Sequence, residues 1–388
     1  MIDRFVEKKV ASAALLLKLI LAACFIAAAS PASAGSTKRS LVQVPSRDAT
    51  ILQCGSANTE PIARSWDPKD REPRQCGPRA PRNYTPRFKG LGFDVLNYES
   101  EACFVPDQSF ELLDTIVATV VQRVTAANLP NGRDKVLLIS RTTSSVLTEL
   151  GFALWPTLNL SDALALRRTA NDQFRHLFDC DTGSMILLTV ADALGVDAAL
   201  VDSTIPGEDP NEFAWHNFVR WPLGQGSADW DMNFKDVCIA PAEGQLPYQG
   251  KALTQQQLWG YEAHLRALIW KGTGHFKETV ADFRAAMQAF PERPASFNEF
   301  AWVVAANEFP ERASLSDQAL DAALRAVATR KDPEYEDTLA CVYAFRGDFA
   351  KAIETEKAAL MHPPRNDKED FERRLGYFMS GRDCTHEP

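Results

Sequence analysis

The chain has 388 residues, a formal net charge of −9 and an isoelectric point of about 5.3. That acidity argues against a general nucleic-acid binder. A hydrophobic content of 45% permits a sizeable core, and the length beyond an N-terminal leader suffices for two domains.

Arg4, Lys8, Lys9 and Lys18 precede an apolar run from Leu19 to Ala29, and Ala32-Ser33-Ala34 is a small-x-small cleavage site before Gly35. This predicts an export signal over residues 1–34 and a periplasmic or secreted protein. A rival site is Leu21-Ala22-Ala23-Cys24, which is similar to a bacterial lipobox and would make Cys24 a lipidated residue. It would leave apolar Phe25 to Ala29 on the mature side, so cleavage after Ala34 is preferred. No other stretch approaches the length needed to span a bilayer.

Residues 35–94 are rich in Pro and Arg, as in Gly77-Pro78-Arg79-Ala80-Pro81-Arg82. The prolines forbid a long helix or a central strand, so a solvated, partly extended leader is expected. Export also changes how the cysteines read, because thiols outside the cytoplasm tend to pair. Beyond the signal lie Cys54, Cys76, Cys103, Cys180, Cys238, Cys341 and Cys384. Their odd number requires a free thiol or an intermolecular bond. Spacing does not fix connectivity; the expected pairs are Cys54–Cys76, Cys103–Cys238 and Cys341–Cys384, with Cys180 left free.

In residues 95–250, Phe110, Leu112, Leu113, Ile116, Val117, Val120, Val121 and Val124 predict an amphipathic helix from Ser109 to Val124. Lys135 to Ser140 reads as a short strand or a helix start, and Thr143 to Leu150 as helix. A further helix is expected over Leu160 to Arg168, capped by Ser161 or Asp162. Cys180 opens an apolar helix that ends at Gly195. Ala198 to Val201 and Phe213 to Trp221 read as strands, with a loop at Pro206 to Pro210. Helices followed by strands predict an α+β domain.

From Leu253 the chain becomes Ala-rich and helical, so residues 251–388 form a second unit. Leu265-Arg266-Ala267-Leu268-Ile269-Trp270 and Leu339-Ala340-Cys341-Val342-Tyr343 are each followed, four residues after the aromatic, by Gly274 and Gly347. Each then runs into a second helix, Phe276 to Phe290 before Pro291 and Phe349 to Met361 before Pro363. A third pair, Phe297 to Ala306 and Asp317 to Ala328, lies between them, separated by a connection longer than a tight turn. This helix–turn–helix recurrence resembles tetratricopeptide repeats, which implies a protein or peptide partner for the helical unit.

The chemistry centres on Cys180. A thiol at a helix N-terminus feels the positive end of the helix dipole, which favours the nucleophilic thiolate. Downstream come His216, within Trp215-His216-Asn217-Phe218-Val219-Arg220-Trp221, and Asp231, within Asp229-Trp230-Asp231-Met232-Asn233. That is the order of a thiol nucleophile, its base and the group that orients the base. Asp229 and Asn233 compete with Asp231, since all three share one side of a strand. Asp179 and Asp181 flank the thiol and oppose its ionisation unless they cap the helix or face solvent.

The segment from Leu160 to Phe234 resembles the transglutaminase-like domains of the papain-like cysteine-protease fold. The resemblance implies catalytic Cys180, His216 and Asp231, with an oxyanion held by the Cys180 backbone N–H and a side-chain donor such as Gln173. The function expected is attack on amide bonds by a thiol, through hydrolysis, deamidation or transamidation. The alternative is an interaction protein whose front domain is a silent scaffold. No C-x-x-C or His-x-x-x-His pair occurs, so no metal or cofactor is implied.

Overall fold

The computed structural model describes residues 82–154, 157, 159–165, 176–206, 213–224, 226–232, 250–362 and 368–386. The stretch expected to be an export signal, most of the expected leader, Cys54, Cys76, Cys238, Gln173 and Asn233 lie outside the described residues. Within them the protein is mostly helical, with two small sheets, a mixed α+β fold.

The first helix, α1 (Leu91–Glu99), starts inside the stretch expected to be leader. No proline interrupts the chain between Pro86 and Pro106, and Phe93, Val95 and Leu96 supply an apolar face that is buried. The residues just before it are pinned rather than free. Buried Asp114 accepts hydrogen bonds from the backbone N–H groups of Arg87 and Phe88 (3.0 and 3.1 Å) and from the Tyr84 hydroxyl (2.7 Å).

Asp114 belongs to α2 (Asp107–Ala126), the helix predicted from its apolar stripe. The next helix, α3 (Arg133–Glu149), is continuous; the strand option at Lys135 to Ser140 is not used. Val136, Ile139, Thr143, Val146 and Leu147 fall on one buried face at helical spacing, which carries the helix through both stretches. β1 (Phe152–Leu154) pairs in parallel with β2 (His176–Phe178). Between them, α4 (Leu160–Ala163) is capped by Asn159, whose side chain accepts from the Asp162 N–H, and not by Ser161 or Asp162. The later part of the helix expected here, from residue 166, lies outside the described residues.

α5 (Cys180–Ala193) follows β2 directly and packs on the larger sheet. That sheet has the order β5-β4-β3-β6, formed by β3 (Ala199–Pro206), β4 (Phe213–Pro222), β5 (Ser227–Trp230) and β6 (Gly250–Ala252). All its pairings are antiparallel, and the register sets Asn217 opposite Asp202 and His216 opposite Ser203.

The remaining chain is helical: α6 (Gln255–Gly272), α7 (Phe276–Ala289), α8 (Pro294–Ala306), α9 (Ser316–Thr329), α10 (Pro333–Phe345), α11 (Phe349–Ala359) and α12 (Lys368–Met379). α6 packs with α7, α8 with α9, and α10 with α11. Gly274 and Gly347 end α6 and α10 with φ of +77° and +80°, the left-handed backbone that glycine supplies at a helix exit. The long connection between α8 and α9 carries a 3₁₀ turn, Arg312–Leu315. Cys341 of α10 is bonded to Cys384, and Cys103 is also disulfide-bonded, with its pairing outside the described residues. One continuous apolar core runs from Phe93 to Cys384 and joins the sheet region to the helices. No described helix is long and apolar enough to cross a membrane.

Candidate functional site

Cys180 is the first residue of α5 because Asp179 closes a capping box there. Thr182 N–H donates to Asp179 Oδ1 (3.3 Å), and Asp179 N–H donates to Thr182 Oγ1 (3.0 Å). The other carboxylate oxygen, Oδ2, accepts from Thr157 N–H (2.9 Å), tying the preceding loop to the helix start. Asp179 therefore caps the helix through Oδ1 and holds Thr157 through Oδ2, and capping is one of the two arrangements that limit its effect on the thiol.

Cys180 is partly exposed and forms no disulfide. Its thiol donates to Asp181 Oδ1 at 3.1 Å. Asp181 thus neither caps the helix nor faces solvent; it is buried and meets the sulfur. The same Oδ1 accepts from Asn217 Nδ2 (2.8 Å), and Asn217 Nδ2 also donates to the Tyr261 hydroxyl (2.7 Å). Tyr261 lies on α6 and is buried; burial, followed by the Asp181 charge, holds its phenol well above the ordinary value.

His216 lies on β4, next to Asn217. His216 Nε2 donates to Asp231 Oδ2 at 2.6 Å, and the two side chains are only 1% and 2% exposed. Burial pulls the imidazole down. The charge and hydrogen bond of Asp231, aided by Asp181 and Asp179, outweigh burial and hold His216 above its usual value. The two carboxylates beside the thiol are thus within electrostatic reach of His216.

Of the three competing residues, Asp229 and Asp231 are described and pair differently, while Asn233 lies outside the described residues. Asp229 is engaged by Arg220 through Nε and Nη2, each at 2.8 Å, across the β4–β5 register. Asp231, just beyond β5, is left to His216. Sequence reasoning missed Asn217, Tyr261 and Arg293. Arg293 is buried, donates to Asp202 on β3 (2.6 Å) and lies over the rings of Tyr261 (4.5 Å) and Trp215 (4.8 Å). Strand alternation and the β3–β4 register would have placed Asp202 beside Asn217. Nothing local pointed to a tyrosine 44 residues further on.

Asp179, Cys180 and Asp181 offer ligand atoms within 4.8 Å of one another. Asp179 is committed to the cap and Asp181 to Asn217 and the thiol, so the cluster carries no metal assignment. The chemical means at the site are a thiol at a helix N-terminus and an imidazole–carboxylate pair. No protein-family model matches the chain, and no curated protein is found to be similar to it.

Proposed function

We propose that the protein is an exported thiol enzyme acting on amide bonds through Cys180, His216 and Asp231. In this reading residues 95–250 form a papain-like, transglutaminase-like domain. Residues 251–388 form tetratricopeptide-like hairpins that bind a protein or peptide partner. The observation that carries it is the buried His216–Asp231 pair, with an imidazole held above its ordinary value, on a strand packed against the helix that Cys180 opens. The disulfide between Cys341 and Cys384 suits an oxidising compartment.

The Cys180 sulfur attacks the carbonyl carbon of an amide, and the Cys180 backbone N–H stabilises the oxyanion. The C–N bond breaks, and the His216 imidazolium gives its proton to the leaving amine. Water or a second amine then attacks the thioester, losing its proton to His216, and the thiolate leaves. Asp231 fixes the tautomer of His216 and stabilises its positive charge.

A second reading is favoured by one contact, the Cys180 thiol donating to Asp181. A hydrogen bond that holds the S–H form disfavours the thiolate, as a silent scaffold would permit. A mild alkylator, with the label mapped by peptide mass, separates the two. The enzyme reading expects Cys180 to be labelled fastest of the chain's free thiols, and Cys180→Ser to abolish amide cleavage while the fold stays intact. Asp231→Asn should lower the pKa of His216, read by NMR titration, and reduce turnover less than loss of the thiol does. Labelling at Cys180 that is slow and indifferent to His216→Ala would leave the scaffold.

A further inference from the structure

We propose that Tyr261 and Asn217 are positioning residues for Cys180, so that the helical half of the chain completes the thiol site from outside the front domain. The proposal rests on the reading of Cys180 as a nucleophile. Its basis is a continuous hydrogen-bonded chain from α5 through β4 to α6: Cys180 to Asp181 (3.1 Å), Asn217 to Asp181 (2.8 Å) and Asn217 to Tyr261 (2.7 Å). Tyr261 itself hydrogen-bonds Asp181. The carboxylate beside the sulfur is therefore held by two donors from elements outside its own helix.

The physical consequence has a definite sign. A carboxylate next to a thiol stabilises the S–H form and opposes the thiolate. Donors that take up the carboxylate's lone pairs weaken that hold and fix where the charge sits. The amide of Asn217 gives one of its two protons to Asp181 and the other to Tyr261, so loss of the phenol oxygen also leaves a buried N–H without its acceptor. Tyr261 is fixed by the Arg293 guanidinium over its ring at 4.5 Å, and Arg293 by Asp202 at 2.6 Å. The charged and titratable groups of the network that reaches the thiol come from several elements. They are Asp179 and Asp181 of the α5 start, His216 of β4, Asp231 beyond β5, Asp202 of β3, Tyr261 and Glu262 of α6, and Arg293 before α8.

The test uses the full chain with its disulfides formed and follows alkylation of Cys180 against pH, the label being mapped to its peptide. Tyr261→Phe keeps the ring and removes the oxygen. Its labelling midpoint should rise by about one pH unit, about tenfold slower labelling below the midpoint. Asp181→Asn should lower the midpoint, and Asp181→Asn combined with Tyr261→Phe should label within about twofold of Asp181→Asn alone, because the charge that the tyrosine restrains is gone. Packing damage alone would not be rescued in this way. An unchanged midpoint in a folded Tyr261→Phe protein would overturn the proposal, as would an unrescued double variant. Asp181→Asn alone keeps the test open should the tyrosine variant misfold: an unmoved midpoint there also overturns it. A His216→Ala arm separates the two ideas. Indifference to His216 with a clear Tyr261 effect removes the enzyme reading and leaves the coupling between halves.

Discussion

Glu262, next to Tyr261 on α6, is 1% exposed, and its Oε1 has no hydrogen-bond partner among the described residues. Burial first, then the charges of Glu99 and Asp181, hold its carboxyl well above the usual range. A carboxyl raised on folding takes up a proton, so stability is highest below the unfolded pKa and falls as pH rises towards the folded one. The slope of this loss is at most about 1.4 kcal/mol per pH unit for one proton. Glu262→Gln should remove it: the variant is expected to unfold at higher denaturant than the parent at neutral pH and to match it near pH 4. Urea melts across that range check the sign, and a variant less stable at neutral pH would refute it. At this scale the pairing of His216 with Asp231 was legible, because an acidic residue following a histidine by one strand and a turn is a ready partner for it. The roles of Asp179 and Asp181 were not. They are equivalent in sequence, one on each side of the thiol, and only the rotamers and the Thr157 and Asn217 contacts make one a cap and the other a thiol partner.

At the scale of elements, α5 is held by close approach as well as by its cap. A Cβ on Gly183 would lie 2.8 Å from Phe178 Cδ2 and 3.0 Å from Met232 Cβ. Gly183→Ala gains up to about 1 kcal/mol of helix propensity. Overpacking against a ring and a fixed Cβ costs about 1–3 kcal/mol. The clash should win, giving a lower melting temperature by calorimetry and a slower labelled Cys180, since the residue sits one turn from the thiol. Long periodic helices such as α2 were readable because many apolar positions vote for one spacing. β1 and β2 were not, because three residues each carry no periodicity, and their pairing depends on chain 24 positions away. The cap of α4 was misplaced for a related reason: Asn159, Ser161 and Asp162 can all cap, and local sequence does not choose among neighbours.

For the whole molecule, the change of composition at Leu253 marks a real change from strand to helix, between β6 and α6. What crosses it could not be read from composition. Arg293 reaches Asp202 over 91 residues and Arg266 reaches Glu101 over 165, so polar groups of the helices are buried by the front of the chain. An amphipathic pattern tells which face is apolar, not what covers it or which charges are trapped at the seam. Tyr261, Glu262 and Arg293 are buried residues of a helical tail only because that tail is packed on the sheet region through one core.

The bond between Cys341 and Cys384 also determines how the protein would respond to mechanical load. The sulfurs are 43 residues apart and enclose α11 and α12. Tension applied at the C-terminal end is transmitted through the covalent link straight into α10, bypassing the two helices between. In an optical trap the unfolded chain should be about 150 Å shorter than that of a variant carrying Cys341→Ala and Cys384→Ala, the contour of the closed loop at roughly 3.5 Å per residue. Equal contour lengths in the two proteins would mean that the two sulfurs are not joined. A processive unfoldase pulling from this end would meet the same loop as a doubled strand, and would have to thread it or stall.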